Sequence, residues 1–129
     1  MQIPGYLAAQ GALEKAGIDE VMVFCVNDGA VMTAWSKDQG AEDSKLLNFY
    51  GDPSGKLTQA LGMVLDHPGP QGKGLFGRSK RFAAILVDGV AKAVEVSEKA
   101  DDPAGDDFPE SSCVENMLKH VDALAKAEL

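Results

Sequence analysis

The sequence is poor in cysteine and histidine and has no long apolar run. Its 129 residues include two cysteines, Cys25 and Cys113, which are too few for a disulfide scaffold and typical of a reducing compartment. The two histidines lie far apart and no Cys-x-x-Cys motif occurs, so the sequence predicts no metal site. No stretch of about 18 apolar residues exists, and we therefore expect no transmembrane helix.

Positive charge is also scarce. Lys and Arg number 12 against 20 for Asp and Glu, which gives a formal net charge of -8 at pH 7. Such a chain repels phosphate backbones and anionic lipid, so we expect neither nucleic acid nor a membrane as a partner. Residues 1–5 have no basic n-region and no long apolar h-region, so no secretory signal is expected. These features favour the cytoplasm or an organelle matrix.

Length and composition predict one domain over residues 1–129, with 45% hydrophobic and 25% charged residues. Apolar periodicity predicts the order α-β-α-β-α, followed by a β-hairpin and a last helix. The predicted helices cover residues 4–17, 28–40, 57–61 and 111 onward, and the predicted strands cover 20–26, 46–50, 81–87 and 91–96. Residues 67–77 are predicted to form a loop, and residues 98–109 an acidic surface loop.

Local signals support these elements. The apolar run at 20–26 is rich in β-branched residues and predicts a buried parallel strand, and Asp88-Gly89 predicts a hairpin turn. Asn27-Asp28 supplies a candidate cap for one helix, and Ser111 or Ser112 for the last. The buried apolar stripe predicted for that last helix consists of Val114, Met117, Leu118, Val121 and Leu124. Alternating helices and strands with a closing hairpin predict an α/β, thioredoxin-like fold, in which helices flank a mixed sheet.

Short motifs spread over almost the whole chain are specific as a set. They are Pro4-Gly5-Tyr6, Gly17-Ile18-Asp19-Glu20, Val26-Asn27-Asp28, Val31-Met32-Thr33-Ala34-Trp35, Asp52-Pro53-Ser54-Gly55, Ala60-Leu61-Gly62, Gly77-Arg78-Ser79-Lys80-Arg81-Phe82 and Ser111-Ser112 with Asn116-Met117-Leu118. In this order they resemble the type II, or atypical two-cysteine, peroxiredoxins. The resemblance implies a thioredoxin fold, a homodimer and a thiol-dependent peroxidase that reduces hydrogen peroxide or alkyl hydroperoxides. It also implies glutathione, glutaredoxin or thioredoxin as reducing co-substrate, with no bound cofactor.

One segment of the family pattern has no match in the sequence. The family carries a Pro-x-x-x-Thr-x-x-Cys motif before the Pro-Gly-Tyr segment, and that Cys is the peroxidatic nucleophile. We therefore expect this nucleophile to be absent and the activity to be weak, or the sequence to be a fragment of a longer active peroxiredoxin. The family's usual His before Pro-Gly is Gln2 here. The same segment supplies a central strand, and because unpaired buried backbone groups cost about 1–3 kcal/mol each, we expect a rearranged sheet or a strand-mediated dimer.

The basic residues near position 80 are candidates for substrate binding. Arg81 matches the family's active-site Arg, which lowers the thiol pKa and binds peroxide; otherwise it is a surface charge at a strand start. Arg78 and Lys80, together with Arg81, form the basic cluster predicted to bind substrate. The cluster could bind carboxylates of glutathione or of an acidic reductase, or it could simply solvate a loop edge.

Both cysteines are displaced from the family's resolving positions. Cys25 lies two residues after the plant position, on the same face of a strand, and the alternative is a buried core thiol. Cys113 lies two residues after the animal position, at the start of the last helix. A helix N-terminus lowers a thiol pKa, whereas the neighbouring acidic loop raises it, so Cys113 is either a nucleophile or an inert exposed thiol.

The predicted catalytic residues are thus Cys113, Cys25 and Arg81. Trp35 and Phe76 are the predicted dimer-interface residues. The alternative function is a non-catalytic binding or regulatory protein on a peroxiredoxin frame.

Overall fold

The computed structural model describes residues 2–74, 76–98, 101–102, 105 and 109–127. The helices are α1 (Gln2–Ala8), α2 (Gln10–Lys15), α3 (Gly29–Asp38), α4 (Lys56–Ala60), α5 (Pro68–Gly72) and α6 (Val114–Ala127). The strands are β1 (Val21–Cys25), β2 (Leu47–Gly51), β3 (Phe82–Val87) and β4 (Val90–Val96), and Glu110–Ser112 forms a 3-10 turn.

The chain divides into two compact units. The central unit is Glu20–Lys80, and the terminal unit combines Met1–Asp19 with Arg81–Leu129. The prediction of a single domain over 1–129 stays a prediction, and each unit is described by itself below.

A parallel pair of strands organises the central unit. Strand β1 pairs with β2 from Val21 opposite Leu47 to Cys25 opposite Gly51, which confirms the predicted parallel pairing. The Asp28 side chain accepts a hydrogen bond from Val31 N at 2.9 Å, so the predicted cap of α3 is also confirmed.

Helix α3 packs on β2 through an aromatic pair. Trp35 and Phe49 meet edge to face, with ring centroids 5.2 Å apart and an interplanar angle of 83°. Met32, one turn earlier on α3, is 1% exposed. This packing gives the parallel sheet a covered face.

The segment predicted as a loop at residues 67–77 contains a short helix instead. Pro68 occupies the first turn of α5, where its missing N–H costs nothing, and His67 Nδ1 accepts from Gly69 N at 3.0 Å. None of the five residues of α5 is buried, so no apolar periodicity signals this helix in the sequence.

The terminal unit contains the predicted hairpin. Strands β3 and β4 pair antiparallel around Asp88 and Gly89, whose φ values of 52° and 81° fit the tight turn that this dipeptide favours. The register shifts between Ile85 and Leu86. The α/β class is as predicted, but the helix predicted over 4–17 is divided into α1 and α2, and α5 was not predicted. The described strands form two two-stranded sheets and not one rearranged sheet.

Helix α6 covers one face of this hairpin. Its Met117 and Val121 form a buried cluster with Ile85 of β3, and Tyr6 and Leu124 pack against that cluster. The predicted apolar stripe of α6 is therefore confirmed. The two serines predicted to cap α6 do not stand directly before it. They belong to the 3-10 turn Glu110–Ser112, and the helix begins at Val114.

The acidic segment at 98–109 is only partly described, and its described part is not a simple surface loop. Asp102, Gly105 and Pro109 are buried. Gly105 has a φ of 71°, and a Cβ on it would lie 2.3 Å from Ser97 O, so the chain passes too close for any side chain. Residues 99–100, 103–104 and 106–108 lie outside the described residues.

Candidate active site

Arg81 stands immediately before β3 and is half-buried. Its carbonyl accepts a hydrogen bond from Ser97 N at 2.8 Å, which ties the start of β3 to the residue after β4. Its Nη1 donates to Gln2 Oε1 at 3.1 Å. The guanidinium is therefore held toward α1 rather than extended into solvent, and its role as an active-site arginine stays a prediction.

Gln2 connects Arg81 to a buried cluster of hydroxyls. Gln2 Nε2 donates to Ser112 Oγ at 2.6 Å. Ser112 Oγ lies 2.7 Å from Ser97 Oγ, and both serines are at most 1% exposed. Ser97 Oγ donates to Pro109 O at 2.9 Å and lies 3.0 Å from Ser111 Oγ. These polar groups satisfy one another in a region from which water is excluded.

Tyr6 closes the cluster from the side of α1. Its hydroxyl donates to Ser112 O at 2.9 Å. Burial, followed by the negative charges of Cys113 and Glu115, raises the pKa of Tyr6 far above its usual value of 10.0. Tyr6 is therefore a neutral hydrogen-bond donor throughout the physiological pH range.

Cys113 lies between the 3-10 turn and α6 and is half-buried. Its Sγ–H donates to Pro109 O at 3.4 Å. Burial raises the pKa of the thiol above 9.0, Glu115 and Glu110 raise it further, and Arg81 opposes them. The acidic neighbours therefore act on this thiol in the predicted direction, and burial adds to their effect.

Cys25 ends β1 in the central unit and is half-buried. Its role, as a redox thiol or as a core thiol, stays a prediction. It lines a shallow pocket of about 530 Å³ with Val31, Ala34, Trp35 and others. The structure thus places a thiol beside Trp35, one of the two residues predicted for the dimer interface. The second of these residues, Phe76, is 67% exposed.

The predicted basic cluster is divided between the two units. Arg78 is exposed and Lys80 is half-buried, and both belong to the central unit, whereas Arg81 belongs to the terminal unit. The backbone around the first two is pinned, because Arg78 O accepts from Leu65 N and Lys80 N donates to Met63 O, each at 2.7 Å. Their role in substrate binding stays a prediction.

No local sequence pattern predicts the hydroxyl cluster. Gln2 and Ser112 are separated by 110 positions, and the Ser111-Ser112 pair by itself predicts only a helix cap. Among the described residues, no group of three or more His, Cys, Asp or Glu side chains is arranged to hold a metal ion. No helix in the described ranges is long and apolar enough to cross a membrane.

The redoxin family model matches residues 2–118, and the chain belongs to this family. It is 39% identical over 118 residues to peroxiredoxin-2E, chloroplastic, of Arabidopsis thaliana, covering 91% of this chain and 46% of that protein. It is 35% identical over 124 residues to a peroxiredoxin of Rhizobium etli, covering 96% and 66%. The predicted peroxiredoxin-like family is thereby confirmed.

Solved structures of peroxiredoxins are also similar to this chain. Reduced Prx3 from Vibrio vulnificus in complex with hydrogen peroxide superposes with a TM-score of 0.74 at 30% identity, covering 94% of this chain and 66% of that one. Peroxiredoxin 5 from Alvinella pompejana gives a TM-score of 0.67 at 25% identity, covering 95% and 68%. The predicted thioredoxin-like α/β class is confirmed.

The chain spans about half to two thirds of the length of these curated relatives. The relatives named here are peroxiredoxins, and the comparisons bear out neither the expected weakness of activity nor the non-catalytic alternative.

Proposed function

We propose that the chain carries out thiol-dependent reduction of hydrogen peroxide or alkyl hydroperoxides. The observation that carries this proposal is Arg81, which Gln2 holds just before β3 and whose positive charge opposes the rise in the pKa of Cys113. Membership of the redoxin family and similarity to a peroxiredoxin solved with hydrogen peroxide support the same chemistry.

The reaction begins with attack of a thiolate on one peroxide oxygen. A sulfur–oxygen bond forms, the O–O bond breaks, and the leaving oxygen takes a proton and departs as water or an alcohol. Arg81 stabilises the negative charge that develops on that oxygen. The resulting sulfenic acid is reduced by two external thiols, which leave as a disulfide while the second oxygen leaves as water.

Cys113 is the first candidate for the reacting thiol, because it shares the terminal unit with Arg81. Its pKa is raised, so the reactive thiolate becomes abundant only above neutral pH. Cys25 is the second candidate, since it lines the apolar pocket beside Trp35.

The reductant in this proposal is glutathione, glutaredoxin or thioredoxin, acting as co-substrate without a bound cofactor. Arg78 is exposed and Lys80 is partly exposed, and both offer positive charge to the carboxylates of such a donor.

A homodimer would bury Phe76 and the pocket at Trp35, and the 67% exposure of Phe76 favours a second copy of the chain as partner. The cytoplasm or an organelle matrix supplies these thiols; two relatives are named as chloroplastic and mitochondrial.

The test is peroxide consumption by the purified 129-residue chain with each of the three donors in turn. Cys113→Ser, Cys25→Ser and the double variant are compared, and Ser54→Ala serves as an exposed control. The double variant should lose all donor-dependent turnover. Undiminished consumption in the double variant would exclude thiol chemistry by this chain.

A further inference from the structure

The hydrogen bonds from Arg81 into the serine cluster have one consistent direction. Arg81 Nη1 can only donate, so Gln2 receives it with Oε1 and faces Ser112 with Nε2, which can only donate. Ser112 Oγ thus accepts from Gln2 and has a single proton to give. Its contact with Ser97 Oγ is 2.7 Å, shorter than the 3.2 Å to Pro109 O.

The remaining protons follow from this assignment. If Ser112 donates to Ser97, then Ser97 donates to Pro109 O at 2.9 Å. The path therefore runs from Arg81 through Gln2, Ser112 and Ser97 to the Pro109 carbonyl, and every group donates to the next. Hydrogen bonds aligned in this way polarise one another, most strongly in a buried environment.

We propose that Gln2 is a positioning residue that fixes the guanidinium of Arg81 by joining it to the buried Ser97–Ser112 pair. This inference rests on the proposed function, in which Arg81 stabilises the leaving oxygen. Gln2 does not touch the peroxide in this scheme; it acts through Arg81.

The anchor at the far end of the path is rigid. Ser112 is fully buried, Ser97 is 1% exposed, and Tyr6 holds the Ser112 carbonyl from α1. A primary amide is suited to the middle position because it accepts at one end and donates at the other. A carboxylate there could accept from Arg81 but could not donate to Ser112.

The path also reaches the candidate thiol. Pro109 O, its last acceptor, receives the Cys113 Sγ–H at 3.4 Å as well as the Ser97 hydroxyl. The groups that hold Arg81 and Cys113 therefore share one carbonyl, so a change at Gln2 should alter the reaction of the thiol as well as the order of the guanidinium.

The first test measures the order of Arg81 without using activity. The chain has two arginines, so a ¹⁵N-labelled sample gives two Nε–H signals, assigned with Arg78→Lys, and exposed Arg78 is the internal reference. In the unaltered protein the Arg81 proton should exchange with water more slowly than that of Arg78. In Gln2→Ala its exchange should accelerate on the order of tenfold, because the guanidinium loses a fixed partner.

Two further variants sharpen this test. Gln10→Ala is the matched control, since Gln10 is also a helical glutamine whose Nε2 donates locally, to Leu7 O at 3.1 Å. It should leave Arg81 exchange unchanged. Ser112→Ala removes the anchor while keeping Gln2 and should accelerate Arg81 exchange in part. Unchanged Arg81 exchange in both Gln2→Ala and Ser112→Ala would overturn the inference.

The second test is kinetic. In Gln2→Ala, kcat/KM for peroxide should fall on the order of 10- to 100-fold, as expected when a charge-stabilising group is misplaced, with KM for the thiol donor unchanged. Compared with Gln2→Ala, Gln2→Asn should show slower Arg81 Nε–H exchange and a higher kcat/KM for peroxide. If the unaltered chain orders Arg81 through Gln2 but consumes no peroxide, the proposed function fails and the positioning stands. If peroxide is consumed equally by Gln2→Ala, the positioning role fails and the function stands.

Discussion

Ser97 and Ser112 lie side by side in the interior of the terminal unit, with their hydroxyl oxygens 2.7 Å apart. Ser97 follows β4 and Ser112 ends the turn before α6, so this contact joins the end of the hairpin to the segment before the helix, beside Arg81, whose carbonyl Ser97 N binds. Through Gln2, which binds both Ser112 and Arg81, this serine pair supports the candidate active site.

Removal of either hydroxyl should destabilise the protein. Ser112→Ala leaves the Gln2 amide and the Ser97 hydroxyl short of a buried partner, and we expect a loss of about 1–3 kcal/mol in the free energy of unfolding. Urea denaturation measures it, with Ser54→Ala, an exposed serine, as the control. The double variant Ser97→Ala/Ser112→Ala should cost less than the sum of the single ones, because each removes the same bond. Strict additivity would show that the two hydroxyls are not coupled.

A side chain at position 105 should be poorly tolerated. Gly105→Ala places a Cβ against the Ser97 carbonyl and forces a non-glycine residue to a φ of 71°. The backbone strain alone is worth about 1–3 kcal/mol, and displacement of Ser97 adds to it. The paired control is Gly11→Ala in α2, where nothing lies within 4 Å and alanine favours the helix. Thermal unfolding should show a lower Tm for the first variant and an equal or higher Tm for the second; equal Tm values would contradict the close approach.

The reactivity of Cys113 should respond to its charged neighbours. In a Cys25→Ser background, Glu115→Gln should lower the pKa of Cys113 and Arg81→Met should raise it, since these groups act on the thiol with opposite sign. The rate of alkylation by iodoacetamide as a function of pH gives this pKa, because only the thiolate reacts. Asp122→Asn, two turns further along α6, is the control. A titration that does not move in Glu115→Gln would show that the charge of Glu115 does not contribute to the pKa of Cys113.

Asp52 should make the central unit sensitive to acid. Its carboxylate accepts from Thr58 N at 2.9 Å, Thr58 Oγ1 at 2.8 Å and Leu57 N at 3.2 Å. The hydrogen bonds from Thr58 are the main cause that lowers the pKa of Asp52 below 3.8. A lowered carboxylate pKa contributes stability that is present above the unfolded value and is lost as pH falls through the folded value.

The measurement for Asp52 is Tm against pH. Asp52→Asn should have a lower Tm than the unaltered protein at pH 7, and the two curves should converge as pH falls below the pKa of the unfolded carboxyl. Asp19→Asn, an exposed position, should follow the unaltered curve throughout. A constant gap between the Asp52→Asn and unaltered curves down to strongly acidic pH would refute the role of the charge.

Local chemistry made most of the fold predictable. The Asp88-Gly89 turn, the Asp28 cap and the apolar stripe of α6 are each decided by a few neighbouring residues, and all three are found as predicted. Helix α5 is not predictable in this way. None of its residues is buried, so the sequence shows no apolar periodicity there. Arg81 can be predicted as a site candidate because its motif is local, whereas Gln2 stands out in the sequence only because it replaces the family's usual His before Pro-Gly.

The sequence by itself determined the four strands, the two longest helices, the family and the candidate Arg81, because these depend on short-range patterns and motifs. Only the tertiary structure decided what holds Arg81 and what governs Cys113. Hydrogen bonds between Gln2 and Ser112 connect positions 110 residues apart, and the pKa of Cys113 depends on burial and on charges from several segments. Burial and long-range polar contacts exist only once the chain has folded.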